Sequence, residues 1–90
     1  MSPATYRKRP VEIQAVQWTG ENLDDIAALA GDAWPGDVAP NPPGDDLIVD
    51  TLEGEMRCRP GWWLIRGLRG EFYPCDPDIF AASYELVDQT

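Results

Sequence analysis

The sequence predicts a small α+β domain, mainly an antiparallel β-sheet of the meander type, with one two-turn helix and one short helix. Three observations lead there. Short runs of alternating or continuous apolar residues are separated by turns bearing glycine and proline, as in closely spaced strands. One stretch, 23–30, carries its apolar residues at helical spacing. An Asp-Pro pair at 76–77 gives the strongest helix-start signal in the chain. With 90 residues the chain is read as a single domain, 1–90, with a basic N-terminal lead-in at 1–9 and a proline-rich loop at 32–46.

In chain order, Pro10 suits the start of a strand over 11–18, where Val11, Ile13 and Ala15 alternate with Glu12 and Gln14. The apolar phase slips at Ala15-Val16, so that Val16 and Trp18 take over, and a β-bulge there is expected. The segment 23–30 reads as a helix with Leu23, Ile26, Ala27 and Ala30 on its apolar face. Asn22 is its N-cap, Asp24 and Asp25 lie where the helix dipole favours acids, and Gly31 ends it. Four prolines and two glycines in 32–46 exclude a helix or a central strand there.

Strands are then expected at 47–51, 55–59, 62–66, 71–73 and 84–87. Gly54, Pro60-Gly61 and the run from Gly67 to Gly70 supply the turns between the first four. The segment WWLIR is nearly continuous in apolar residues and reads as a central strand buried on both faces. A short helix over 77–82, capped by Asp76, is expected to bury Ile79 and Phe80 against the sheet.

Charge is distributed unevenly. Seven Lys and Arg face sixteen Asp and Glu, a formal charge of −9, and a field of that sign repels nucleic-acid phosphate and anionic membrane. From Pro10 to Met56 there are eleven acids and no base; from Arg57 to Gly70 there are four arginines and no acid. The absence of histidine removes the commonest general base and metal ligand. Without a hydrophobic segment after the basic N-terminus, a cytoplasmic location is expected and Cys58 and Cys75 are read as reduced thiols. Cys75 precedes a helix start, where a thiolate can be stabilised, but it has no histidine partner. The plainer reading is a packed apolar thiol.

Six residues are candidates for binding a ligand or partner: Arg57, Arg59, Arg66, Arg69, Trp62 and Trp63. Arg57 and Arg59 are two apart in one strand and share a face, while Arg66 and Arg69 flank the next turn. Brought together, the four would suit a phosphate, a nucleotide or an acidic patch. The competing reading is that they neutralise Asp50, Glu53 and Glu55. Trp62 and Trp63 must point to opposite faces of their strand, so one of them is a candidate interface residue unless the N-terminal strand covers it.

The segments YRKRPVEIQAVQW, ENLDDIAALAG and TLEGEMRCRPGWWLIRGLRGEFYPCDPDIFAASYE together resemble a family of small proteins of uncharacterised function encoded by tailed phages and prophages. The resemblance spans most of the chain except the proline-rich loop. It departs from the family's usual Pro-Gly-Asp-Trp turn, since Pro60-Gly61 is followed here by Trp62-Trp63. The resemblance implies an accessory protein acting in the bacterial cytoplasm, and it assigns no catalytic residue. The expected function is therefore non-enzymatic, without cofactor or metal: binding a host protein or a small anionic ligand, as a homo-oligomer. Two alternatives are an acidic mimic of nucleic acid that blocks a DNA- or RNA-binding host protein, and a nucleotide sequestrant using the arginines.

Overall fold

The computed structural model describes residues 3–7, 10–42 and 44–87. The chain is α+β, mainly antiparallel β, as expected. Its elements are β1 (Gln14–Gln17), α1 (Leu23–Ala30), a 3-10 turn at Gly31–Ala33, β2 (Val38–Pro40), β3 (Leu47–Thr51), β4 (Gly54–Cys58), β5 (Trp63–Arg66), β6 (Phe72–Cys75) and α2 (Pro77–Ser83).

The expected single meander is instead two three-stranded sheets, ordered β1-β5-β6 and β2-β3-β4. The break falls between β4 and β5. There Pro60 and Gly61, the latter at φ 92°, turn the chain out of one sheet, and β5 pairs with β1 (Gln14 opposite Arg66, Gln17 opposite Trp63) rather than with β4. Trp18 holds this junction. Its N–H donates to the Trp62 carbonyl at 2.8 Å, its carbonyl accepts from Gly61 at 2.6 Å, and its indole Nε1 donates to the Asp45 carbonyl at 2.6 Å.

Further corrections have local causes. The first strand covers 14–17 rather than 11–18, because its partner β5 offers only four residues. The pairing runs without the expected bulge: Ala15 and Val16 are both half-buried, one on each face, so no extra residue is needed. Residues 84–87 form no strand; Tyr84 has extended backbone but caps α2, its N–H bonded to the Phe80 carbonyl. The segment expected as a loop over 32–46 carries the end of the 3-10 turn and the edge strand β2, which ends at Pro40 as prolines in sheets require.

Helix α1 matches its expected limits. Asn22 starts it, but its side chain caps no helix N–H; instead its Oδ1 accepts from the Thr19 N–H and hydroxyl, both at 2.9 Å. Ile26, Leu29 and Ala30 are buried, whereas Leu23 at the helix start stays largely exposed. In α2, Asp76 accepts from the Asp78 and Ile79 N–H groups, the expected cap. Ile79, however, is 60% exposed, so only Phe80 faces the sheet.

The core lies between the sheets, with α1 against β1 and β5. Trp18, Ile26, Leu29, Val38, Leu47, Val49, Cys58, Leu64 and Phe72 fill it. As expected of a central strand, β5 buries both Leu64 and Ile65 completely, Leu64 toward that core and Ile65 on the opposite face. α2 closes this second face: the Phe80 ring stacks on Trp63, and Tyr84 stacks on Phe80.

Candidate interaction surface

The six sequence candidates separate: Arg69 is exposed in the β5–β6 turn, and the other five fall in three places. Arg57, Arg59 and Trp62 line one shallow, solvent-open groove together with Glu55 and Met56. Arg66 lies in a different hollow, beside Glu12, Ile13, Gln14, Gly67, Leu68 and Gly70. Trp63 lies on the outer face, under Phe80.

Local folding explains each position. Among the described residues β4 pairs with β3 on one side only, from Leu47 opposite Cys58 to Thr51 opposite Gly54, and its other side is a sheet edge. Alternation sends Cys58 into the core and leaves Arg57 and Arg59 exposed. The Arg57 guanidinium meets the Asp46 carboxylate at 3.9 Å with 57% of its side chain exposed, a loose contact that leaves it free to move. The ion pair found among the described residues thus joins Arg57 to Asp46, not to Asp50, Glu53 or Glu55. Trp62 packs its inner edge against the core and shows its outer edge to the groove.

Arg66 has a structural task. Its Nη1 donates to the Leu29 carbonyl at 3.1 Å, satisfying the end of α1 where a cation also complements the helix dipole. Its guanidinium carbon lies 5.6 Å from the Phe72 ring centroid. Arg69 sits exposed in the β5–β6 turn, which is held by Glu71: its Oε2 accepts from the Arg69 N–H at 3.0 Å. The four guanidiniums therefore do not gather into one anion cradle.

Trp62 and Trp63 do point to opposite faces. The cover over Trp63 comes from Phe80 of α2, centroids 4.1 Å apart and planes 5° from parallel, not from the N-terminal strand. Sequence reasoning missed Glu55 and Met56 as members of the groove. Met56 is 42% exposed, and only the separation of β4 from β5 leaves it at an open edge.

Cys58 and Cys75 are both free thiols. Burial, followed by the nearby Asp46 carboxylate and Cys75, pushes the Cys58 thiol up to about 12. Burial, with Asp76 adjacent, also raises that of Cys75, the reverse of what an activated nucleophile needs. Among the described residues, no group of three or more Cys, Asp or Glu is placed to hold a metal ion, and no helix is long and apolar enough to cross a membrane. Comparison with protein-family models, with curated proteins and with solved structures finds no match.

Proposed function

We propose that this chain is a non-enzymatic binding protein, an accessory factor of the kind carried by tailed phages and prophages in the bacterial cytoplasm, and that it recognises another protein chain along the β4 groove. The observation that carries this reading is the gathering of Arg57, Arg59, Met56 and Trp62 beside an unpaired strand edge. Arginine, tryptophan and methionine are the residue types enriched where proteins bind proteins, and the edge adds unpaired backbone donors and acceptors.

The same geometry favours a protein over a small anion. A small ligand needs an enclosing pocket with converging donors. Here the groove is open, and Arg66 is committed to the end of α1. Raised thiols and the lack of histidine likewise favour recognition over catalysis.

Immobilised protein tests the proposal by capture from bacterial lysate, compared with the Arg57→Ala/Arg59→Ala variant. The expected result is a captured protein that the variant loses while its melting temperature stays within a few degrees of the wild type. An identical capture profile for the two proteins would remove the groove from recognition. A thermal shift with nucleotides that the variant abolishes would replace the protein partner with an anion.

A further inference from the structure

Resting on the reading of β4 as a recognition edge, we infer that the chain this edge fits is a second copy of itself, paired antiparallel about a two-fold axis at Met56. Such pairing would join the two β2-β3-β4 sheets into one continuous six-stranded sheet.

The backbone supplies the first argument. The Asp50 N–H points to β2, donating to the Asp37 carbonyl at 2.7 Å. By the alternation of antiparallel ladders, Val49 and Thr51 then direct their groups to β4, where they oppose Met56 and Gly54. The N–H and C=O groups of Glu55 and Arg57 therefore point away from β3, into the open edge. Pairing about Met56 sets Glu55 opposite Arg57 of the second copy, and Arg57 opposite its Glu55. These are the residues whose backbone groups are free to bond, so the ladder and the register agree.

Charge supplies the second. The segment from Glu53 to Arg59 reads EGEMRCR, acids on one side of Met56 and bases on the other at matching distances. In the proposed register Glu55 faces Arg57 and Glu53 faces Arg59, twice over by symmetry. A slip of two residues in one direction sets Glu55 against Glu55; in the other, Arg57 against Arg57. Opposite charges across strands stabilise and like charges destabilise, so one register is selected. Charged residues usually shield a sheet edge from pairing, but this arrangement excludes other partners while matching its own copy.

The fold supplies the third. The opposite edge of this sheet, β2, is three residues long and ends in Pro40, which shields it. β4 is five residues long, has no proline, and is flanked by the open groove. At the axis the two Met56 side chains, each 42% exposed in one copy, would cover one another.

Charge reversal tests the pairing. Wild-type protein should sediment as a dimer, and Glu55→Arg or Arg57→Glu alone should weaken dimerisation by about tenfold or more, because each sets like charges in contact at two symmetric places. Mixing the two variants should restore a heterodimer, since every pair is then again opposite in sign. In a Cys75→Ser background, Met56→Cys should cross-link on oxidation much faster than Glu55→Cys or Arg57→Cys. The axis makes 56 face 56 across a non-hydrogen-bonded pair, whose Cα atoms lie about 4.5 Å apart, within disulfide reach.

A wild type that stays monomeric at every concentration up to its solubility limit overturns the pairing. So does a dimer that survives either charge reversal, or cross-linking that does not favour position 56. If the protein is monomeric while Arg57→Ala/Arg59→Ala still loses a lysate partner, self-pairing fails and recognition by the groove stands. If the charge-reversal pattern holds and the lysate yields nothing, self-pairing stands and the host contact fails.

Discussion

The Trp63 indole lies flat on the Phe80 ring, centroids 4.1 Å apart and planes 5° from parallel, and this contact ties α2 to the outer face of the β1-β5-β6 sheet. Tyr84 extends the stack, 4.9 Å from Phe80, and its hydroxyl lies 3.5 Å from that of Tyr73. Phe80→Ala should therefore destabilise the fold by about 1–3 kcal/mol, below the range for a fully buried Phe because this ring is only half-covered. Urea denaturation measures it. An unchanged midpoint would mean that α2 adds nothing to stability.

Trp18→Phe keeps most of the buried ring but removes the Nε1 donor to the Asp45 carbonyl. Expected are a loss of about 1–2 kcal/mol and faster proteolysis near Asp45, because that hydrogen bond fastens the segment after β2 to the core. Limited digestion of the two proteins side by side reads both.

Arg66 and Arg57 should respond in opposite ways to truncation. Arg66→Ala leaves the Leu29 carbonyl without its partner and should cost about 1–2 kcal/mol. Arg57→Ala loses only a loose, exposed contact with Asp46 and should cost less than about 0.5 kcal/mol. Equal losses would mean that Arg57 also supports the fold.

Alkaline stability should depend on Cys58. Its thiol rises from 9.0 to about 12 on folding, chiefly by burial, so the folded state favours the protonated form. The associated stability is complete below pH 9 and declines as pH rises from there through about 12, with a slope approaching 1.4 kcal/mol per pH unit. Tyr73 is also raised, by burial and by Tyr84, and steepens the decline above pH 10. Cys58→Ala should be less stable at neutral pH yet show a flatter alkaline limb; an unchanged slope would exclude Cys58 as its source.

Much of the fold could be read locally. The limits of α1 and β3, the Asp76-Pro77 start of α2 and the positive-φ turn at Gly54 all follow from neighbouring residues. The partition into two sheets could not. Strand pairing is a contest between distant segments, and nothing inside Pro60-Gly61 says that β5 will choose β1 over β4. The site inherited that limit: Arg57 and Arg59 were visible as a pair, whereas the diversion of Arg66 to Leu29 and the opening of the edge at Met56 depend on which strands meet. Similarly, the mismatch at residues 84–87 arose because an extended, apolar tail needs a free partner edge, and Tyr84 found aromatic rings instead.

The pairing of β1 with β5 also orders events in time. Sheet β2-β3-β4 joins near neighbours, whereas Gln14 must wait for Arg66, and closing so long a loop is entropically slow. A chain emerging from the ribosome can finish the first sheet once Cys58 is clear, while its own N-terminal strand still has no partner. Pulse-labelled hydrogen exchange during refolding should accordingly show amides of 47–58 protected before those of 14–17. Trp18, whose backbone bonds to both Gly61 and Trp62, is then the latch that closes last, joining an earlier-made strand to one made much later.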